Sequence, residues 1–204
     1  MTDAKKEKFL LRQEMRKKCK GIDPIYLEDA NRKINRSIIN EDVWHNCRKV
    51  GVFFSDGSEP DLREFIEWGL SAGIRVYLPR YRNDVDSYEM AEIRDLVHDV
   101  ECGRYGIHEP KTHLPAATPE EMANEMMWLV PGVAFDASGN RLGRGRGYFD
   151  RLLASVTGSV AGVFFGFQRA DSVPAEGHDR KLDCAVTDEG IEWFSKKEKC
   201  KCTC

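Results

Sequence analysis

The feature that most constrains this 204-residue chain is an alternation of two apolar patterns. Short runs of β-forming residues, at 49–54, 74–78, 88–93, 127–130, 160–165 and 184–187, are separated by longer segments, several of them with helical period. Residues 4–20 place Leu11, Met15 and Cys19 at four-residue intervals and stop near Gly21. Asp23 followed by Pro24 supplies an N-cap and a first-turn proline for a second helix over 24–40, with Ile34 and Ile38 on one face. Residues 59–68 change to helical period again before Gly69 and Gly73. Short apolar strands alternating with helices predict an α/β fold: three layers, α/β/α, around a mostly parallel central sheet. In such sheets ligands bind beyond the carboxyl ends of the strands, so the loops after the strands are where function is expected. Residues 94–125, rich in glycine, proline, histidine and charge, read as an irregular loop with a short helix from Pro119. No repeat or linker divides the chain, so residues 1–198 are expected to form one domain, with 199–204 a frayed tail.

Charge and cysteine usage remove several function classes. A formal net charge of −3 creates no field that draws nucleic acid or anionic membrane, so anion binding must come from a local cluster. No apolar run approaches the roughly 18 residues of a bilayer span, and the N-terminus is charged where an export signal needs apolar residues. Cys19, Cys47, Cys102 and Cys184 are scattered, as in a reduced protein of the cytoplasm. Cys200, Cys202 and Cys204 alternate with Lys199, Lys201 and Thr203 without a histidine nearby, a poor arrangement for zinc. Small-molecule substrates, no nucleic-acid or membrane partner and a monomeric state are the expectation.

The local cluster is the loop Pro131-Gly-Val-Ala-Phe-Asp-Ala-Ser-Gly-Asn-Arg-Leu-Gly-Arg-Gly-Arg-Gly-Tyr-Phe-Asp-Arg151. Gly143, Gly145 and Gly147 let backbone N–H groups approach an anion with no Cβ in the way, and Arg141, Arg144, Arg146 and Arg151 add planar cationic donors. Residues 148–156 read as a helix, whose N-terminus would add a positive end to the loop. The spacing is neither the P-loop G-x-x-x-x-G-K-[ST] nor the dinucleotide G-x-G-x-x-G. On residue chemistry alone the loop reads as a polyphosphate cradle or, more plainly, as turns with a solvated arginine face.

The segment F-D-x-x-G-x-R-L-G-x-G-x-G-Y-[YF]-D-R resembles the signature of the 5-formyltetrahydrofolate cyclo-ligases, also called methenyltetrahydrofolate synthetases. Gly103-Arg-Tyr-Gly-Ile-His-Glu-Pro110 and Pro174-Ala-Glu-Gly-His-Asp-Arg-Lys-Leu-Asp183 are similar to two further family segments, and Leu78-Pro-Arg-Tyr-Arg82, Gln168 and the basic start around Lys8 and Arg12 also fit. Phe149 departs from the usual tyrosine, and Arg146 stands where lysine or a neutral residue also occurs.

The resemblance implies an ATP-dependent, Mg²⁺-requiring conversion of 5-formyltetrahydrofolate to 5,10-methenyltetrahydrofolate with release of ADP and phosphate; a relative that binds nucleotide or folate without turnover is the alternative. It implies that Arg144, Gly145, Arg146, Gly147 and Tyr148 meet both the phosphates and the reacting end of the folate, with Arg144, Arg146 and Tyr148 catalytic. Arg141, Leu142, Gly143 and Phe149 belong to the ATP loop, and Lys8 and Arg12 close over ATP from the first helix. Asp150 and Asp179 are the implied metal carboxylates; a salt bridge from Asp150 to Arg151 is the plainer reading of that residue. Glu59 and Phe54 are implied in folate binding, against a helix-start role for Glu59. Tyr105 either packs on the folate or is a core or loop aromatic, and His178 orients its neighbours.

Overall fold

The computed structural model describes residues 3–42, 47–103, 106–177 and 179–194. The expected positions Tyr105 and His178 and the cysteine tail lie outside the described residues. Two helices come first, α1 (Asp3–Lys20) and α2 (Pro24–Ile39). The Asp23 side chain accepts the Ile25 N–H at 2.9 Å, and Pro24 occupies the first turn, so the capping expected from the dipeptide forms. Then follow β1 (Lys49–Gly51), α3 (Arg63–Ser71), β2 (Arg75–Arg82) and β3 (Ser87–Ile93). The hairpin β4 (Val100–Cys102) and β5 (His108–Pro110) precedes β6 (Met127–Pro131). A second small hairpin, β7 (Ala134–Phe135) and β8 (Arg141–Leu142), leads into α4 (Tyr148–Leu153), and β9 (Val160–Val163), β10 (Cys184–Thr187) and β11 (Gly190–Trp193) complete the order.

Seven strands form one sheet in the order β11-β10-β9-β6-β1-β2-β3. The five inner strands run parallel, and β3 and β11 are antiparallel edges. Strand side chains alternate between the two faces. In β6, Met127 and Leu129 join the cluster formed with Ala30, Ile34 and Ile38 of α2 and Phe65 and Ile66 of α3, whereas Trp128 and Val130 join Leu152 and Leu153 of α4. The sheet is therefore covered on both faces, as its near-continuous apolar strands require. A third cluster, Met15, Ala134, Leu142 and Val173, docks α1 against the β7–β8 hairpin. No described helix is long and apolar enough to cross a membrane.

Three local expectations are corrected. Residues 94–125 are not merely irregular: they carry β4–β5, and the short helix expected from Pro119 begins there and runs on as a π-helical turn at Glu121–Glu125. The first strand ends at Gly51, three residues before its apolar run does; Val52 still donates to the Tyr77 carbonyl at 2.9 Å, and the chain then bends away. The expected helix over 148–156 stops at Leu153.

The chain builds outward from β1 to β2, then returns to place β6 on the other side of β1. Connections beyond β1 and β6 therefore diverge, opening a crevice at their carboxyl ends. Residues 52–62 leave one side of that crevice and residues 132–147 leave the other.

Candidate functional site

The glycine and arginine loop is held from beneath by Asp136 and Gln168, which the sequence leaves without a role, and by Arg12. Asp136, 3% exposed, accepts N–H groups of Ser138 (2.9 Å), Asn140 (3.0 Å) and Val173 (2.8 Å) and the Asn140 side-chain amide (2.9 Å). These bonds close the β7–β8 turn around Gly139, whose φ is +74°. The Gln168 amide, also buried, donates to the carbonyls of Gly132 (3.0 Å) and Val133 (3.1 Å). Arg12 of α1 donates through Nε to the Gly143 carbonyl at 2.8 Å and lies against Gly145.

Beyond this support lies a cavity of about 140 Å³. It gathers Phe54 and Glu59 from the loop after β1 with Arg141, Gly143, Arg144, Arg146, Gly147, Tyr148, Phe149 and Asp150. Ten of the sequence-singled positions thus share one wall system, although Phe54 and Asp150 are 96 positions apart in the chain. Leu142 is not among them; it is buried against Met15 and Val173 and anchors the loop instead. Phe53, Pro79, Tyr88, Ile107, Glu109 and Leu152 also line it and were not foreseen as site residues, beside Pro131 and Gly132 at the start of the loop. Tyr88 meets Tyr148 edge-on with ring centroids 4.7 Å apart, and Tyr81 meets Tyr88 at 5.3 Å, so three aromatic rings border the loop. Tyr88 gave no signal because it reads as one residue of an edge strand.

Charge in the site is arranged around the buried guanidinium of Arg141 and the half-exposed one of Arg144. Arg141 is almost fully enclosed: it donates to Asp150 Oδ1 and, at 3.0 Å, to the Pro131 carbonyl. Its Nε is buried with no hydrogen-bond partner among the described residues. Burial pulls the proton affinity of Arg141 down, while the fields of Asp150 and Asp179 oppose that pull. Asp150 therefore pairs with Arg141, not with Arg151. Arg151 instead donates to the Arg146 carbonyl at 3.2 Å and lies over the Tyr148 ring, 5.0 Å from its centroid.

Arg144 reaches across the crevice. Its Nη atoms fork onto the two oxygens of Asp56, the Nη2–Oδ1 distance being 2.7 Å, and Nη2 also meets Ser58 Oγ at 2.7 Å. Its Nε lies 2.9 Å from Glu59 Oε1. Glu59 is 8% exposed, and burial pushes its carboxyl up to about 7; Asp56 adds to the rise, and Arg144 and Arg141 oppose it. Asp56 is held down to about 2, first by its hydrogen bond from Arg144. The helix beyond begins at Arg63, so Glu59 is a buried loop carboxylate and not a helix-start residue.

Lys8 sits about one turn before Arg12 in α1, paired at 3.0 Å with both Glu176 and Asp179. Its proton affinity is raised although burial opposes this, because both carboxylates hydrogen-bond the ammonium group. Asp179 Oδ2 also accepts the Glu176 N–H at 2.8 Å. No group of three or more His, Cys, Asp or Glu side chains able to hold a metal occurs among the described residues.

Residues 4–188 match the model of the 5-formyltetrahydrofolate cyclo-ligase family. The 5-formyltetrahydrofolate cyclo-ligase of Saccharomyces cerevisiae is 28% identical, over 92% of this chain and 98% of its own length. That of Mycolicibacterium smegmatis is 34% identical over 69% of this chain and 73% of its own. Among solved structures, the 5,10-methenyltetrahydrofolate synthetase of Aquifex aeolicus superposes with a TM-score of 0.81 at 26% identity, covering 94% of each chain. A match spanning nearly all of the sheet, together with an arginine loop braced from below by Asp136 and Gln168, makes this chain a member of the 5-formyltetrahydrofolate cyclo-ligase family.

Proposed function

We propose that this chain converts 5-formyltetrahydrofolate to 5,10-methenyltetrahydrofolate at the expense of ATP, in the crevice between the loop after β1 and the glycine loop after β6. The observation that carries this reading is the convergence of Glu59, Phe54 and the loop 141–150 on one cavity. In the reaction the formyl oxygen takes the γ-phosphoryl group of ATP, ADP leaves, N10 attacks the activated carbon and gives up its proton, and the C–O bond to phosphate breaks. The formyl oxygen, a poor leaving group, departs as phosphate. Phosphoryl transfer needs in-line placement and neutralised charge more than covalent help from the protein.

The chain's own groups suit those needs. Gly143 has no protein atom closer than 3.5 Å to the position its Cβ would take, which leaves its backbone open to phosphate oxygens. The unpaired Arg141 Nε, Arg144 and Arg146 supply cationic donors beside it. Arg12 holds the loop's carbonyl side turned away, and Lys8 closes α1 over the same region. Glu59, buried in the wall that Phe53 and Phe54 also line, accepts hydrogen bonds from the amino and imino groups of the pterin; Phe54 and Tyr148 pack on its ring system. Tyr105 remains a folate contact only in this proposal.

Asp150 and Asp179 supply the oxygen ligands that Mg²⁺ prefers. Asp150 turns Oδ2 toward the side of Gly143 and Gly147 where a Cβ would stand, at 4.0 and 3.9 Å from those positions. Asp179 acts on the same Arg141 and already carries a cation, the Lys8 ammonium. Mg²⁺ is commonly held by one or two carboxylates with phosphate oxygens and water, and when bound it would neutralise charge on the transferred group. Asp150 would hold it, with Asp179 in support. The reading places the protein in the cytoplasm as a monomer acting on small molecules.

Mixing the protein with ATP, Mg²⁺ and 5-formyltetrahydrofolate and following the absorbance of 5,10-methenyltetrahydrofolate tests the proposal directly. Product formed in proportion to ATP consumed is expected. Ligand binding without product would favour the relative that has lost turnover.

A further inference from the structure

The loop that carries Asp56 is built with more care than a surface turn needs. Ser55 Oγ donates to the Glu59 carbonyl at 2.6 Å and accepts the Gly57 N–H at 3.0 Å. Asp56 Oδ1 accepts the Ser58 N–H at 3.0 Å and the Ser58 hydroxyl at 2.9 Å. The Asp56 carboxylate is thus oriented before any partner arrives, and it receives the guanidinium of Arg144 from a loop 88 positions away. Asp56, Ser58 and Glu59 together engage both Nη atoms and the Nε of a side chain that also lines the cavity. A carboxylate offers a guanidinium two coplanar oxygens much as a phosphate does, so the two anions compete for the same fork. Held at about 2, Asp56 remains an anion throughout the neutral range.

We infer that Asp56 is a positioning residue for Arg144: an internal anion that holds the guanidinium fork at the mouth of the glycine loop until a phosphate oxygen of the nucleotide replaces it. The observation is the forked Asp56–Arg144 pair, braced by Ser58, whose guanidinium partner lines the cavity. This inference rests on the reading that the glycine loop takes ATP phosphates. It adds a residue outside every motif described above, and it gives the displaced contact a cost: nucleotide must exchange one anion for another at Arg144. The exchange also leaves Glu59 as the carboxylate still beside the Arg144 Nε, which ties the folate side of the cavity to the phosphate side.

The test measures the affinity of ATP and of inorganic tripolyphosphate, without folate, by calorimetric titration of the wild type and of Asp56→Asn. Asparagine keeps the shape but presents neither the charge nor the second acceptor. Both polyphosphates should bind about two- to fivefold more tightly to the variant, the range expected for losing one half-exposed competing pair. In turnover, KM for ATP should fall while kcat does not rise. A merely structural Asp56 would instead loosen the loop and weaken both ligands. Equal or weaker polyphosphate binding by Asp56→Asn therefore overturns the inference. Should that variant fail to fold, Ser58→Ala decides: it removes one brace from the same pair and should tighten binding by about twofold, and no gain refutes the idea equally. If the wild type binds neither polyphosphate, the phosphate-site reading fails and the inference falls with it; wild-type binding without a gain in either variant sinks the inference alone.

Discussion

Replacing Glu59 by glutamine separates the burial of this carboxyl from its charge. In the folded chain burial lifts it from 4.5 to about 7, with Asp56 adding and Arg144 and Arg141 opposing. In the unfolded chain it returns to the lower value. Between the two the folded protein binds the additional proton, so the stabilising contribution is fully present below 4.5 and is lost as pH rises through about 7. Across the whole window the loss amounts to about 3 kcal/mol, at about 1.4 kcal/mol per pH unit. Glutamine does not titrate, so Glu59→Gln should lack this slope. Urea denaturation of both proteins at pH 5 and pH 8 reads it: wild type should lose about 2–3 kcal/mol relative to the variant over that interval. Parallel stability profiles would refute the argument, because they would mean that Arg144 keeps Glu59 ionised and that its burial carries no net electrostatic cost. The same variant, titrated with 5-formyltetrahydrofolate and separately with ATP, should lose folate affinity far more than ATP affinity; equal losses would remove Glu59 from the pterin.

Asp150→Asn should fold normally, retain folate binding through Glu59 and lose turnover by a hundredfold or more, on the order of 3 kcal/mol of transition-state stabilisation, with only partial rescue by excess Mg²⁺. Wild-type rates and Mg²⁺ dependence in that variant would reduce Asp150 to a partner of Arg141. Gly143→Ala should leave the melting temperature within a few degrees of wild type, since its new methyl meets nothing closer than 3.5 Å, yet weaken ATP binding severalfold by filling the phosphate approach. Gly132→Ala is the contrast: its methyl would lie 2.7 Å from the Phe164 ring and 3.2 Å from the Leu142 carbonyl, so thermal denaturation should show a clear loss of stability.

Much of this protein is legible along the chain because the responsible physics is local. Asp23 and Pro24 start α2 through a cap and a fixed φ, and the apolar runs at 127–130 and 160–163 become inner strands because both their faces are covered. The loop 141–150 announces its chemistry by composition, since glycines and arginines act there through backbone access and charge that neighbours supply directly. What adjacency could not decide is what lies across from each residue. Val100–Cys102 and His108–Pro110 pair as a hairpin whose short, charged strands carry little periodic signal. Asp150 has Arg151 beside it in sequence, but its partner is Arg141, because the β7–β8 hairpin turns that guanidinium inward where burial makes pairing necessary. Asp56 sits in an ordinary turn sequence and acquires a role only when β6 returns beside β1 and brings Arg144 opposite. Residue type and spacing determined the elements and the chemistry of the loop; the strand order determined which charges meet and how deeply Glu59 is buried, because both depend on contacts between segments that only the assembled sheet brings together.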